Sequence, residues 1–337
     1  MRMRQELLSS IAETIKDYRE GEIPRPTPDH VERWICQFDA DVQLPMLQEL
    51  DHVLAQTYLN RKFVMDFLES LLWEKQLVGD SPEDFWKKVN FHKHQLAGHS
   101  QEEMLRLFDG LLRAEFGFGI ADCGSQDGPM IYLDEALFSG NRVIADMEHW
   151  LEHEAPERVK VRIIVIAAHT YGQYRVGKRL KETAAQLGIE IDGAFRRILE
   201  YENRLMYRNE SQVLWPASVP EVDELAAYMA QGQDYPFVPR QPLDQDPPAP
   251  FSSESGRQLL EQELLMAGVR IRSWYKNPSP ALHPLGFSNF GLGFGSTLVT
   301  YRNCPNNCPL ALWFGDPSSD KWWLHRWYPL FPRKPNE

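Results

Sequence analysis

The segment 130–142 constrains the fold of this chain more than any other. It begins with four apolar residues, continues with the acidic pair Asp134 and Glu135, and reaches a small-residue turn at Ser139 and Gly140. Short apolar runs are typical of buried parallel strands, and a helical pattern resumes after the turn. The order of strand, acidic pair, tight turn and helix predicts an anion site at the carboxyl end of a strand.

Strands and helices alternate on both sides of this segment. Strands are predicted over 89–94, 130–133, 159–167 and 189–191, with helices over 101–113, 139–153 and 174–187 between them. Alternation at this spacing is typical of an α/β core with a parallel sheet. The carboxyl ends of such strands meet at one edge of the sheet, where ligands bind.

Changes in pattern along the 337 residues predict four segments. They are an N-terminal helical module (1–82), the α/β core (83–235), a proline-rich linker (236–252) and a mixed, aromatic-rich C-terminal α+β extension (253–337). Within the first segment, Thr27 and Pro28 have the pattern of an N-cap followed by proline at the first helical position. Proline-rich stretches with few apolar residues are typical of linkers or extended crossing segments.

The formal net charge of -12 argues against a broad nucleic-acid-binding surface, although it leaves room for a local basic patch. No apolar run follows the first residues, and the longest purely apolar run is only 163–168. We therefore expect neither a signal peptide nor a membrane span, and a cytoplasmic location. The four cysteines, at positions 36, 123, 304 and 308, are then expected to be reduced thiols.

The chemistry of the acidic pair and the turn suits a sugar phosphate. Small residues let backbone N–H groups approach a phosphate, and the following helix N-terminus favours an anion. Asp134 and Glu135 would repel a phosphate, but they can accept hydrogen bonds from ribose hydroxyls and favour a nearby Mg²⁺. The ordinary alternative is that the acids merely end a strand and that Ser139 caps a helix.

These residues resemble the signature of type I phosphoribosyltransferases, which has four apolar residues, two acidic residues and a Thr/Ser-Gly-rich turn. The resemblance implies that Asp134 and Glu135 form the catalytic pair and contact the 2- and 3-hydroxyls of phosphoribosyl pyrophosphate. It implies a 5-phosphate loop made of Ala136, Leu137, Phe138, Ser139, Gly140, Asn141 and Arg142. Phe138 and Arg142 depart from the usual small or hydroxylated residues, which predicts altered phosphate contacts.

A second element of that family is a loop that holds pyrophosphate after an earlier strand. Gly98, His99 and Ser100 lie between the strand predicted over 89–94 and the next helix, where this loop belongs. Gly98 permits close backbone approach, and His99 or Ser100 can donate to phosphate. The alternative is an ordinary loop in which Ser100 caps the following helix.

The turn after the strand predicted over 159–167 would approach a base or another acceptor. His169 and Tyr171 are candidates to stack on a base or to hydrogen-bond with it, or they only pack the turn. Arg175 and Lys178, on the following helix, can neutralise a phosphate; a solvated helix face is the commoner explanation for such residues.

Over residues 28–333 the chain is also similar to the phosphoribosyltransferase-like proteins of bacterial conflict systems. The similarity rests on 30–38, 98–101, 133–142, 293–296 and 301–310. It implies a role in anti-phage defence, with phosphoribosyl pyrophosphate or a nucleotide as substrate and Mg²⁺ as cofactor. The implied partners are a retron reverse transcriptase with its nucleic acid, or an ATPase. The implied activity is ribosyl C1 transfer or nucleotide modification; the alternative is a non-catalytic nucleotide-binding regulatory subunit.

Rival motifs point to other classes of site. His149, Glu152 and His153 match the inverted zinc-protease pattern H-x-x-E-H, which would make the chain a zinc hydrolase. The sequence gives no way to choose the third, acidic ligand, and exposed histidines on a helix are the usual explanation. Cys304 and Cys308 can form half of a zinc site, or a proline-flanked structural turn.

Two further C-terminal features each have two interpretations. Gly291, Gly293 and Gly295 fit an anion-binding loop or, because no strand and helix frame them, a hairpin or tight loop. The aromatic set fits core packing or a stacking platform for a nucleotide or a single strand. That set comprises Trp313, Trp322, Trp323, Trp327 and Tyr328.

Overall fold

The structure, a computed structural model, describes residues 3–93, 100–231, 236–243, 247–288, 291–317, 319 and 321–333. The chain divides into two compact units. One unit combines Met1–Arg61 with Glu202–Asn336 and is called the split unit here. The other is Lys62–Tyr201, called the α/β unit, and it contains the segment 130–142.

The first part of the split unit is helical, as the sequence predicts. Its elements are α1 (Arg4–Thr14), α2 (Pro28–Ile35), α3 (Ala40–Thr57) and the short strand β1 (Tyr58–Leu59). The predicted start of α2 is confirmed, because Thr27 Oγ1 accepts a hydrogen bond from the His30 N–H at 3.3 Å and Pro28 is the first helical residue. An N-cap of this kind satisfies a backbone donor that the helix itself leaves unpaired.

The α/β unit begins with helices and continues with alternating strands and helices. Its elements are α4 (Arg61–Trp73), α5 (Lys75–Val78), α6 (Pro82–Lys88), β2 (Asn90–Phe91), α7 (Ser100–Phe116), β3 (Met130–Leu137), α8 (Asn141–His153), β4 (Arg158–His169), α9 (Thr170–Leu187), β5 (Glu190–Arg196) and β6 (Leu199–Tyr201). β4 is rich in Val and Ile, and β3 is apolar apart from its acidic pair, which suits strands that are buried on both faces.

Five strands of the described residues form one sheet, in which every pairing is parallel. The strand order is β2-β3-β4-β5. β5 pairs with the first part of β4, and β6 pairs with its last three residues, Ala167 to His169. The predicted parallel α/β core is therefore confirmed, and the carboxyl ends of β3, β4 and β6 lie at one edge.

The core of the α/β unit lies between the sheet and the helices α8 and α9. Buried side chains of β3 and β4, such as Tyr132 and Val165, pack against Met147 and Trp150 of α8 and Val176 of α9. Burying side chains of this size stabilises the fold by roughly 1.5–3 kcal/mol each. This packing fixes the start of both helices against the sheet edge.

The strand containing the acidic pair is longer than the sequence predicted. β3 extends to Leu137 rather than ending at Leu133, because β4 continues beside it and pairs with it through Leu137 and Ala168. The following helix begins at Asn141 rather than Ser139. Asp134 and Glu135 thus belong to the last part of the strand instead of to the junction.

The rest of the split unit contains α10 (Asp223–Met229), α11 (Glu254–Ser273), β7 (Val299–Thr300) and α12 (Leu310–Trp313). β7 pairs in parallel with β1, and α11 packs on α3, so the two segments of this unit share a core. Arg240, inside the predicted proline-rich linker, is 2% exposed and ion-paired with Glu254 and Glu261. The division into four segments remains a prediction about which parts fold independently.

No helix in the described part of the chain has the length and hydropathy that crossing a membrane requires.

Candidate functional site

The acidic pair lies where the regular geometry of β3 is interrupted. Tyr132 and Leu137 both join the buried cluster against α8 and α9, although a regular strand would place them on opposite faces. Between them, Asp134 and Glu135 are 4% and 7% exposed, and Asp134 Oδ1 accepts the Glu135 N–H at 2.8 Å. Two carboxylates are therefore held in a largely dry position near the carboxyl end of the strand.

The loop from β3 to α8 passes very close to the start of α9. Gly140 has a φ of +78° and forms the N-cap of α8. A Cβ at Gly172, in the first turn of α9, would lie 1.8 Å from the Phe138 carbonyl oxygen. A Cβ at Gly140 would lie 2.9 Å from the Gly172 carbonyl oxygen. The contact between the two backbones therefore requires glycine on both sides.

The residues at the N-terminus of α8 have properties that suit the binding of an anion. Because Gly140 has no side chain, it cannot cap the first turn as a serine or aspartate at this position would. Asn141 and Arg142 are exposed in that turn, and Ser139 Oγ accepts the Asn141 N–H at 3.5 Å. Helix N-termini with accessible N–H groups bind anions, and the adjacent guanidinium of Arg142 adds positive charge.

Arg175 of α9 holds the loop from the other side. Its Nη1 donates to the Ser139 carbonyl at 2.9 Å and to Asn141 Oδ1 at 2.7 Å. The same guanidinium lies 5.8 Å from the centre of the Tyr171 ring. The structure thus places Arg175 at the loop, whereas Lys178 lies on an exposed face within 3.9 Å of Glu182. From the sequence alone, each of the two residues fitted either a phosphate-neutralising role or a solvated helix face.

His169 lies in the middle of an aromatic stack at the sheet edge. Its ring stacks on Phe138 at 5.0 Å and on Tyr201 of β6 at 5.4 Å, and its Nδ1 donates to the Leu137 carbonyl at 3.2 Å. Burial lowers the pKa of His169 to about 4, so the ring is neutral at pH 7. Phe138, the residue that departs from the usual signature, therefore anchors the loop to the ends of two neighbouring strands.

Replacing His169 with Gln should reduce the dependence of stability on pH. Below about pH 6.5 the unfolded chain binds a proton that the folded His169 takes up only near pH 4. The free energy of unfolding therefore falls as the pH drops through this range, by up to roughly 3 kcal/mol from this group. Urea unfolding between pH 7 and pH 4.5 measures the slope for both proteins. An unchanged slope in the variant would contradict the assignment, because other histidines contribute equally to both.

A buried hydrogen bond lies beneath the loop. The Tyr132 hydroxyl donates to Asp146 Oδ2 of α8 at 2.9 Å, and Asp146 is 1% exposed. Burial and the neighbouring carboxylates of Asp134 and Asp146 raise the pKa of Tyr132 far above its ordinary value. The hydroxyl therefore remains protonated and links β3 to α8 just behind the acidic pair.

The variant Tyr132→Phe should lose about 1–3 kcal/mol of unfolding free energy, because one oxygen of a buried carboxylate loses its donor. Urea unfolding at pH 7 provides the measurement. Tyr174→Phe, which removes a hydroxyl from a tyrosine on α9 that is 58% exposed, is the matched control and should change stability by less than about 0.5 kcal/mol. Equal effects of the two variants would show that the buried hydrogen bond contributes nothing to the free energy of unfolding.

The predicted pyrophosphate loop lies largely outside the described residues. Gly98 and His99 fall there, as does the side chain of Ser100, whose backbone begins α7. His92, directly after β2, is buried and its ring lies 5.4 Å from that of Tyr132. The role of the three candidate residues remains a prediction.

The histidine motif on α8 lies towards the far end of that helix. The rings of His149 and His153 are 4.4 Å apart, and His153 Nδ1 donates to the His149 carbonyl at 2.7 Å. Within the described ranges, no cluster of three or more His, Cys, Asp or Glu side chains is arranged to hold a metal ion.

Packing accounts for the cysteine and glycine motifs of the C-terminal segment. Cys304 and Cys308 are free thiols that are fully buried, and burial raises the pKa of Cys308 well above its ordinary value. A Cβ at Gly293 would clash with the backbone of Leu285, so the glycine segment packs closely on a neighbouring turn. This segment and Phe237 line a mainly apolar cavity of about 200 Å³, which does not suit an anion.

A parallel sheet with an acidic pair, a glycine turn and a helix N-terminus at its carboxyl edge defines the phosphoribosyltransferase-like class of α/β proteins. The family model PRTase-CE, the phosphoribosyltransferases of conflict systems, matches residues 31–333. The match covers nearly the whole chain, and the protein belongs to this family. No curated protein sequence matches the chain.

Several residues of this edge were not among the predicted site residues. Tyr201 was missed because a three-residue strand gives almost no periodic signal. Gly172 was missed because its close contact with Phe138 joins two segments that are distant in sequence. The sequence did contain one signal for Gly172: glycine is unfavourable inside a helix, so its presence in the first turn of α9 indicates a close contact there.

Proposed function

We propose that the α/β unit binds phosphoribosyl pyrophosphate, or a nucleotide, at the carboxyl edge of its sheet and transfers the ribosyl group at C1. The observation that carries the proposal is the buried acidic pair of β3, followed within a few residues by the left-handed Gly140 and the open N-terminus of α8. Family membership supports the same class of ligand and a phosphoribosyltransferase-like enzyme.

In this proposal each group at the edge has one task. Asp134 and Glu135 accept hydrogen bonds from the ribose hydroxyls, because carboxylates are acceptors and hydroxyls are donors. The N–H groups around Ser139 to Arg142 hold the 5-phosphate at the positive end of α8. Arg175 and Phe138 keep the loop in the required shape through the contacts described above. Holding a reactant in one geometry is itself a large part of catalysis.

The reaction breaks the bond between C1 and the pyrophosphate oxygen and forms a bond between C1 and an acceptor nucleophile, whose proton is released. Two buried carboxylates beside the ribose position suit a divalent cation, and Mg²⁺ bound there would help to neutralise the leaving pyrophosphate. His169, neutral at pH 7 and buried between Phe138 and Tyr201, would support the loop at this edge without adding charge next to the acceptor.

Mass spectrometry of the reaction tests for turnover. The full chain is incubated with phosphoribosyl pyrophosphate, Mg²⁺ and a panel of nucleobases and nucleotides, beside Asp134→Asn as the variant expected to be inactive. Glu152→Gln, which changes an exposed carboxylate on α8, is the matched control and should retain activity. Consumption of phosphoribosyl pyrophosphate by the wild type and Glu152→Gln alone supports the proposal. Unchanged substrates with all three proteins would contradict transfer.

Calorimetry beside the mass spectrometry distinguishes the regulatory alternative from an enzyme. If calorimetry shows that the ligand binds but no product forms, the edge is a nucleotide-sensing site of a non-catalytic subunit. A proposed place in anti-phage defence, with a reverse transcriptase or an ATPase as partner, rests on the family alone. Co-purification of such a partner with the tagged chain from its native host would test that part separately.

A further inference from the structure

An exposed aromatic and cationic surface lies in the C-terminal part of the split unit. Trp322 and Trp323 begin a short 3₁₀ turn, Trp322–His325. Trp322 is 64% exposed, an unusual position for the largest apolar side chain. The two indoles are 6.4 Å apart and nearly perpendicular, at 87°. Core packing therefore explains Trp327, which is 3% exposed, but it does not explain Trp322.

The exposed Trp322 and the half-buried Trp323 and Trp274 contact cations and a buried ring. The Arg326 guanidinium carbon lies 4.9 Å from the centre of the Trp322 ring and 5.2 Å from that of Trp274. Trp274 in turn contacts the buried Phe314 at 5.9 Å. Lys321 Nζ lies 5.8 Å from the Trp323 ring. The alternation of ring, guanidinium and ring connects the surface to the core and limits its freedom to move.

Lys321 and Arg326 bring positive charge to this surface of an acidic chain. The formal net charge is -12, yet Lys321 and Arg326 contact aromatic faces and take part in none of the ion pairs found among the described residues. Cations that are not neutralised by carboxylates remain available to an anionic partner.

We propose that Trp274, Lys321, Trp322, Trp323 and Arg326, called the indole–arginine surface, bind single-stranded nucleic acid. Exposed indoles provide flat apolar faces on which unpaired bases stack, and neighbouring Lys and Arg contact the phosphates between them. In a duplex the base faces are stacked on one another and cannot stack on such a surface, so mainly the phosphate backbone can contact it. This proposal does not depend on the sugar-phosphate site of the α/β unit.

Fluorescence anisotropy with labelled oligonucleotides tests the proposal on the full chain. The probes are a single-stranded RNA and a single-stranded DNA of about 12 nucleotides, a length within the range of single-strand sites, and the duplex of the same sequence. The wild type should bind both single strands more tightly than the duplex. Trp322→Ala should weaken binding by about 5- to 150-fold, the range expected for the loss of one stacked base.

Arg326→Gln separates charge from stacking. This variant should lower the dependence of log affinity on log salt by about 0.7, the contribution of one phosphate contact to a single strand. Trp73→Ala, which removes an indole that is 53% exposed in the α/β unit, is the matched control and should bind as the wild type does. Unfolding curves of all variants confirm that they fold.

Three outcomes would overturn the proposal. The first is no binding of either single strand at low salt by the wild type. The second is equal binding by wild type and Trp322→Ala, and the third is a preference for the duplex. If the surface instead captures a protein, because Trp and Arg are also common at the centres of protein interfaces, Trp322→Ala will abolish that capture while oligonucleotides fail to bind.

Discussion

Replacing Asp134 with Asn should weaken the binding of phosphoribosyl pyrophosphate by about 10- to 150-fold. A hydrogen bond to a charged group contributes about 1.5–3 kcal/mol, and the amide loses this charge while keeping the shape of the side chain. The Asn oxygen can still accept a hydrogen bond from the Glu135 N–H, so the local geometry of β3 should be retained. Calorimetry of both proteins with the same ligand gives the two affinities.

The matched control for this variant is Glu152→Gln, which removes one carboxylate from an exposed position on the same unit. It should bind phosphoribosyl pyrophosphate as the wild type does, since it changes the net charge equally without touching the edge of the sheet. Equal affinities for the wild type and both variants would place the ribose elsewhere and contradict the assignment of the acidic pair.

Replacing Gly172 with Ala should lower the free energy of unfolding by about 3 kcal/mol or more and should also abolish ligand binding. The added Cβ would lie 1.8 Å from the Phe138 carbonyl oxygen, which is a backbone atom. Neither segment can yield cheaply, because α9 packs on the sheet and Phe138 stacks on His169. Overpacking of this kind typically costs 1–3 kcal/mol and sometimes more.

Gly177→Ala on the same helix is the control for Gly172→Ala. Its Cβ would lie 3.4 Å from the Phe195 ring, an ordinary contact. This variant should be neutral or more stable by up to about 1 kcal/mol, because alanine is the better helix former. Urea unfolding and ligand calorimetry on both variants give the comparison. If Gly172→Ala is as stable and as active as Gly177→Ala, the loop does not depend on the close contact.

The parallel sheet and the position of the turn between β3 and α8 could be predicted from the sequence because they depend on local patterns. The apolar runs of β3 and β4, the acidic pair and the Ser139-Gly140 turn all lie within short windows. The helices of the first 60 residues follow from apolar spacing and from the Thr27 cap. Patterns of this kind report on one element at a time.

Features that depend on pairing between distant residues could not be predicted. The end of β3 at Leu137 is set by its pairing with Ala168 of β4. The role of Phe138 depends on His169 and Tyr201, which lie 31 and 63 positions further along the chain. The grouping of Met1–Arg61 with Glu202–Asn336 likewise reflects long-range packing, such as the pairing of β1 with β7, that no local window contains.

The departure of Phe138 from the transferase signature illustrates how the structure changes the interpretation of a residue. On sequence grounds a phenylalanine at this position predicts altered phosphate contacts. In the structure its ring stacks on His169, which itself stacks on Tyr201. Since backbone N–H groups rather than side chains bind phosphate in such loops, an apolar anchor is compatible with the proposed role.

A crystal structure of the full chain with bound phosphoribosyl pyrophosphate would locate the ligand. We expect the 5-phosphate within hydrogen-bonding distance of the backbone N–H groups of Ser139 to Arg142, with the ribose hydroxyls on Asp134 and Glu135. A ligand bound away from the carboxyl edge of the sheet, or a site that stays empty at saturating concentrations, would contradict this placement.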